Sequence, residues 1–122
     1  MSLSVVVLQR DPNVAQFLAG GLRPHFRSVH TASSWVDLRE RLAQTRPEVA
    51  IVDVEASRFA DVESLHRDSP EMLIVCTHRI PDEEMWMAAL EVGAADVCPA
   101  LDVEAIIASI LRNAALAQST AA

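Results

Sequence analysis

Four consecutive apolar residues followed by a single carboxylate constrain this chain more than any other feature. Residues Val49–Val52 are apolar and mostly β-branched, Pro47 precedes them, and Asp53 follows. A run this short, with apolar residues at every position, is typical of a central strand in a parallel sheet that helices cover on both faces. Functional groups in such sheets collect at the carboxyl ends of the strands. Asp53 occupies such an end and is the first candidate functional residue.

Four further segments predict strands of the same sheet: Leu3–Leu8, Ser28–Ala32, Met72–Thr77 and Ala95–Cys98. The second of these is more polar and is expected at an edge. Apolar residues at helical spacing follow every strand, with helices expected over residues 12–24, 34–45, 61–67 and 81–92 and from residue 102 onward. Five β-α units joined by right-handed crossovers predict an α/β fold with a doubly wound, five-stranded parallel sheet.

Local signals support these helix boundaries. N-cap residues are expected at Asp11, Ser34 and Asp102, because their side-chain oxygens can accept hydrogen bonds from free backbone N–H groups. Pro81 and the three acids after it suit a first helical turn. Gly93 is expected just beyond the end of the same helix, where a left-handed backbone favours glycine.

The composition excludes several classes of function. The 122 residues predict one domain over residues 1–118, with a flexible tail over 119–122. The net charge is −7 and all ten cations are Arg, which argues against a nucleic-acid surface. No apolar run approaches the ~20 residues of a membrane span. Cys76 and Cys98 fit no metal or redox spacing, so we expect reduced core thiols in a cytoplasmic protein, with no metal and no cofactor.

In order and spacing, these pieces resemble the receiver domain of two-component response regulators over nearly the whole chain. Asp53 matches the phosphoacceptor of that family, and Thr77 matches the hydroxyl switch residue after the fourth strand. Residues 93–96 match the Gly-Ala-x-Asp that precedes the fifth strand. The resemblance implies the flavodoxin-like, CheY-like strand order 2-1-3-4-5 and a role in signal transduction.

The chain departs from the family pattern around the phosphoacceptor. The two acids that hold Mg²⁺ in the family fall on Gln9 and Arg10, which leaves only Asp11, and the family's Lys falls on Ala100. The aromatic switch position falls on Val97. Phosphoryl transfer to a carboxylate depends on a divalent cation and a fixed positive charge, and Mg²⁺ prefers carboxylate oxygens. We therefore predict an atypical receiver with a degenerate pocket, which is not an enzyme and acts by protein contact.

Arg10 suggests what replaces the metal. Arg10 follows the first strand, and the first strand is expected to lie beside the third. Its guanidinium is therefore predicted to pair with the carboxylate of Asp53 and to lower the pKa of that group. His78 and Arg79 follow Thr77, either as further positive charge at the same edge or as solvated loop residues.

An apolar helix surface predicts a partner site. In the fourth predicted helix the core face is best served by four other residues: Met85, Ala88, Ala89 and Val92. Trp86, Met87 and Leu90 are then left on flanking or outer faces, unless the helix is sunk more deeply into the protein. We expect the fourth helix, the fifth strand and the last helix to form a homodimer or partner face, with a sensor kinase as one possible partner.

Two alternative functions stay open on the sequence. An ordinary receiver could use Asp53 in a phosphorelay with an unusual metal site. A small phosphatase-like enzyme is suggested by Asp53 and Glu55, because haloacid-dehalogenase-type phosphatases use a similarly spaced acid pair. That family places its acids after the first strand and requires a Lys, which this chain lacks.

Overall fold

Five strands alternate with five helices along the chain. The computed structural model describes residues 3–121, with side chains through residue 116. The strands are β1 (Ser4–Leu8), β2 (Ser28–Ala32), β3 (Val49–Asp53), β4 (Leu73–His78) and β5 (Asp96–Pro99). The helices are α1 (Pro12–Leu22), α2 (Trp35–Thr45), α3 (Phe59–Asp68), α4 (Glu83–Glu91) and α5 (Val103–Ala121). No helix in this described part is long and apolar enough to cross a membrane.

All strands are parallel and lie in the order β2-β1-β3-β4-β5, as the sequence predicts. The predicted positions of β3 in the centre and of β2 at an edge are confirmed. Strand β4 begins and ends one residue later than predicted, and β5 is also shifted by one residue. The backbone of Asp53 lies opposite that of Thr77 in the β3–β4 ladder. The two strand ends that carry the candidate functional residues are therefore adjacent.

Two apolar layers cover the sheet. Val5 and Val7 of β1 face the layer formed with α1 and α5, while Val6 and Leu8 face the layer formed with α2, α3 and α4. The alternation follows from the two-residue period of a strand. All five residues of β3 are buried, which is the expected environment of a strand covered on both faces.

The predicted caps of three helices are confirmed. The backbone N–H groups of Asn13, Asp37 and Ala105 donate to the side chains of Asp11, Ser34 and Asp102, respectively. The predicted start of α4 is wrong by two residues. Asp82 is its N-cap and accepts from the N–H of Met85 at 2.8 Å, so Pro81 lies before the helix. An aspartate in extended backbone is a better cap than proline, which explains the shift.

The ends of two helices also follow from their sequences. Helix α2 ends at Thr45 because Pro47 disfavours helical backbone at Arg46, which adopts a φ of 45°. Gly93 lies just beyond α4 with a φ of 105° and packs against the ring of His66, so a side chain has no space there. Helix α5 extends through residue 121, and Ala122 lies outside the described residues. The flexible tail predicted for residues 119–122 stays a prediction.

The buried face of α1 differs from the predicted one. The buried residues are Ala15, Leu18, Ala19 and Leu22, whereas Phe17 of the expected apolar stripe is exposed. Small alanines on the inner face allow α1 to approach the sheet closely, and this turns the aromatic ring outward. On α5, Leu111 is likewise more exposed than predicted.

Two adjacent glycines in α1 provide a test of this packing. A methyl group on Gly20 would contact nothing within 4 Å, whereas one on Gly21 would lie 2.9 Å from Cγ1 of Val103 in α5. Gly20→Ala is expected to raise the free energy of unfolding by about 1 kcal/mol, through helix propensity. Gly21→Ala is expected to lose this gain to overpacking and to be no more stable than the parent chain. Urea denaturation measures both, and equal stabilisation would contradict the close approach of α1 and α5.

Candidate functional site

The carboxyl edge of the sheet brings the predicted pocket residues together. Gln9, Arg10 and Asp11 follow β1, Asp53 ends β3, and Ala100 follows β5; all five line one pocket of about 350 Å³. Parallel strands place their carboxyl ends at the same edge, which is why residues so distant in sequence meet here. The side chain of Thr77, opposite Asp53 in the sheet, is also buried.

Asp53 is a buried carboxylate held by hydrogen bonds. It is only 4% exposed, and its Oδ1 accepts the backbone N–H of Glu55 at 3.1 Å. Burial raises the pKa of Asp53, and the nearby negative charge of Glu55 acts in the same direction. The hydrogen bonds from Glu55 N–H and Gln9 and the proximity of His78 oppose the shift without cancelling it.

Gln9 lies between Asp53 and the start of α1. It is buried, and its amide lies near enough to the carboxylate of Asp53 to lower the pKa of that group. Its own carbonyl oxygen, Oε1, accepts the backbone N–H of Asp11 at 3.2 Å. A neutral side chain thus occupies the position where the family that the sequence resembles has a metal-binding acid.

The predicted ion pair between Arg10 and Asp53 is wrong. Among the side chains of residues 3–116, Arg10 forms no ion pair, and its side chain is exposed at the rim of the pocket. The pKa of Asp53 is accordingly raised rather than lowered. Arg10 does follow the strand that lies beside β3, as predicted. The side chain of Gln9, however, points into the pocket, and that of Arg10 points to solvent.

Glu55 holds Arg79 and lies against His78. Its Oε1 accepts from Nε of Arg79 at 3.0 Å and lies 3.1 Å from Nε2 of His78. Nδ1 of His78 accepts the backbone N–H of Ile80 at 3.0 Å, so Nε2 carries the proton in the neutral ring. The sequence indicated a cationic rim at His78 and Arg79 but missed Glu55 as the residue that both contact. The position of Glu55, two residues after Asp53, was the sequence feature that could have indicated this role.

The side chains present do not fit a magnesium ion. Gln9 contributes a neutral amide, Arg10 contributes a cation, and Asp11 accepts the N–H of Asn13 at 2.9 Å as the cap of α1. In residues 3–116, no three His, Cys, Asp or Glu side chains are grouped so that they could hold a metal ion. Glu55 is paired with Arg79 and Asp53 accepts a backbone N–H, which leaves too few of the free carboxylate oxygens that Mg²⁺ prefers.

Four further positions in or just after β4 and β5 are apolar or inert. Ala100 is buried and offers only a methyl group where the related family has an amine. Val97 is partly buried and packs against the layer of α2, α3 and α4. Burial raises the pKa of the free thiol of Cys76 to about 12 and that of Cys98 to about 11, so neither is a nucleophile at neutral pH.

The outer face of α4 carries the predicted exposed residues. Trp86, Met87 and Leu90 are 43%, 53% and 36% exposed, so α4 is not sunk into the protein as the alternative required. Met85 and Ala88 are partly buried and Ala89 is fully buried, as expected of the core face.

Asp96 connects this face to β5 and α5. Its Oδ1 accepts from the indole N–H of Trp86 at 3.3 Å. Its Oδ2 accepts from the hydroxyl of Ser109 at 2.6 Å and from Nη2 of Arg112 at 3.1 Å. The sequence did not predict this network, because Ser109 and Arg112 lie more than ten residues from Asp96 and only the fold brings them together.

Asp53→Asn tests the effect of burial on the carboxylate. A raised folded-state pKa means that ionised Asp53 destabilises the fold. The penalty is absent below the unfolded Asp pKa and develops as pH rises from that value through the raised folded-state pKa. The variant is expected to be more stable by about 1 kcal/mol at pH 7, the usual scale of such desolvation, and unchanged near pH 3.

Thermal denaturation across this pH range measures the difference. Glu63→Gln, a neutralised carboxylate on the exposed face of α3, is the control and should show no such pH dependence. A variant that is less stable than the parent chain at pH 7 would contradict the raised pKa.

Known structures share this arrangement of strands and helices. No protein-family model and no curated sequence matches the chain. NtrX from Brucella abortus superposes with a TM-score of 0.84 at 16% identity, over 99% of this chain and 30% of its own length. A BeF3-activated DrrB receiver domain gives 0.78 at 21% identity, over 92% and 97%, respectively. Vibrio cholerae CheY4 gives 0.81 at 18% identity, over 92% and 98%.

The chain spans about a third of the length of NtrX but nearly all of the other two proteins. The sequence identities are low, but the structural similarity covers the whole sheet and all five helices. It agrees with the strand order seen here. The chain therefore has the CheY-like fold of response-regulator receiver domains.

Proposed function

We propose that the chain is an atypical receiver module of signal transduction that acts by protein contact, without metal-dependent phosphorylation of Asp53. The observation that carries this proposal is the buried amide of Gln9, which lies beside the carboxylate of Asp53 and accepts the backbone N–H of Asp11. A neutral side chain thus holds the loop after β1 without a cation.

The charges around Asp53 support the same conclusion. A phosphoryl group brings two negative charges, which a receiver must offset with cations at the acceptor. Here Arg79 is paired with Glu55, Arg10 lies exposed at the rim of the pocket, and Ala100 supplies no amine beside the carboxylate. Transfer to a buried carboxylate would therefore proceed with little of the electrostatic stabilisation that the reaction needs.

The contact surface that we propose is the face formed by α4, β5 and α5, and its occupant is a second copy of the chain. Trp86 and Met87 provide the aromatic and methionine anchors that interfaces favour. The same face exposes acidic Glu84 and Glu91 on α4 and basic Arg112 on α5. A patch with both signs of charge can pair with itself about a two-fold axis.

Two buried thiols without a disulfide suit a reducing compartment, so we place this module in the cytoplasm. A sensor kinase remains a candidate partner through the resemblance to receivers. One observation favours an ordinary phosphorylatable receiver as the second candidate. Asp53 and Thr77 are both buried and lie opposite each other in the sheet, as an acceptor and its switch residue should.

Exposure to a small phosphodonor distinguishes the two candidates. With acetyl phosphate and Mg²⁺, the chain is expected to gain no stable phosphoryl group, because its side chains do not fit the metal and Ala100 offers no amine. Intact-mass spectrometry measures the outcome, and a phosphorylatable receiver in the same reaction shows that the donor is active. A gain of about 80 Da that disappears in Asp53→Asn would favour the second candidate.

Sedimentation equilibrium at micromolar concentration tests the contact surface. The parent chain is expected to dimerise, and Met87→Glu is expected to give a monomer because it places a charge at the centre of the apolar face. Val36→Glu, which changes a more exposed apolar residue on α2, is the matched control and should leave the dimer intact. A monomeric parent chain would exclude the second copy as the occupant.

A further inference from the structure

A second, more apolar cavity lies next to the pocket at Asp53. The second cavity has a volume of about 570 Å³ and shares Arg79, Ala100 and Leu101 with the first. The remaining lining residues are Pro99 and Asp102. Both volumes fall in the range of small-molecule sites, which are mostly apolar with a few polar groups.

The carboxylates of this pocket already have partners. Asp53 accepts the N–H of Glu55. Asp11 and Asp102 cap α1 and α5. Glu55 is paired with Arg79, which offsets its negative charge. Each carboxylate therefore already uses an oxygen in a hydrogen bond or an ion pair.

The guanidinium groups, in contrast, have unused donors. Arg10 lines the pocket and makes no ion pair or hydrogen bond with the described side chains. Arg79 uses only Nε, which Glu55 accepts, so within residues 3–116 its terminal Nη groups are without partners. The ion pair with Glu55 positions Nε of Arg79 and leaves its two Nη groups available. Planar guanidinium groups bind carboxylates and phosphates through two parallel hydrogen bonds.

The wall of the second cavity is apolar. Leu101 is 61% exposed beside the pocket, and Pro99 is also exposed. An isolated exposed leucine is common, but here it lies next to two free guanidinium groups and a cavity. The site therefore combines donors for an anionic group with a surface for an apolar body.

We infer that the pocket binds a small amphipathic anion, a carboxylate or phosphate monoester joined to an aromatic or aliphatic group, without forming a covalent bond. This inference rests on the proposed function, since it replaces phosphorylation of Asp53 with reversible occupancy of the same pocket. The anionic group lies between Arg10 and Arg79, and the apolar body packs against Leu101.

Isothermal titration of the full chain with 1-naphthyl phosphate tests the inference. 1-Naphthol and inorganic phosphate, which carry the apolar and anionic parts separately, are each expected to bind at least about tenfold more weakly, because each makes only half of the contacts. Affinity for the ester is expected to fall as salt rises.

Variants separate the two halves of the site. Arg10→Gln and Arg79→Gln are each expected to weaken binding of the ester by about tenfold, the scale of one hydrogen bond to a charged group. Leu101→Ser should weaken binding of the ester but not of inorganic phosphate. Arg23→Gln, an exposed arginine outside the pocket, and Val36→Ser are the matched controls and should bind as the parent chain does.

Two results would overturn the inference: undetectable binding of the ester, or binding that is unchanged in both arginine variants. Equal affinity for the ester and for inorganic phosphate would overturn the inference that the apolar body packs against Leu101. Thermal denaturation confirms that each variant is folded. Failure here is distinguishable from failure of the proposed function, which is decided by the mass of the chain after acetyl phosphate treatment.

Discussion

Burial of a carboxylate at the end of the central strand is the constraint on which the functional edge of this protein depends. A charge at the end of β3 cannot be left without partners, since an unpaired buried carboxylate is costly. Asp53 meets this requirement through the backbone N–H of Glu55 and the neighbouring amide of Gln9. Both groups are neutral, so they stabilise the carboxylate anion only in part. Burial raises the pKa of Asp53, and these two groups lower it without cancelling that shift.

The strand order could be predicted because its signals are local or come from a resemblance in spacing. The apolar run at β3 and the caps at Asp11 and Asp102 depend on residues within a few positions of each other. Boundaries were less certain where two signals competed, as Pro81 and Asp82 did before α4. The network of Asp96 could not be predicted, because Ser109 reaches it only after α5 has packed on the sheet.

The error at Arg10 has a specific physical origin. Adjacent residues leave a strand in opposite directions, so of Gln9 and Arg10 only one can point toward the neighbouring strand. Charge alone favours the arginine, but a glutamine amide is less costly to bury than a guanidinium and can both donate and accept. The structure places the amide inside and the cation outside. The cost of desolvating the guanidinium of Arg10 outweighs its attraction to the carboxylate of Asp53.

The contacts of β4 and β5 determine how the pocket at Asp53 could affect the face of α4, β5 and α5. The two are connected through the β4–β5 ladder, in which Thr77 lies opposite Cys98 and Cys76 opposite Val97. Coupling between sites requires an element with two discrete arrangements. Val97 is a small, branched side chain packed against the core, and the Asp96 network ties Trp86 to α5 from the other end of β5. These contacts tie β5 to α4 and α5 and leave Trp86 and Met87 exposed. In the function that we propose, the face is therefore available to a partner in this arrangement, and no change at the pocket is required to expose it.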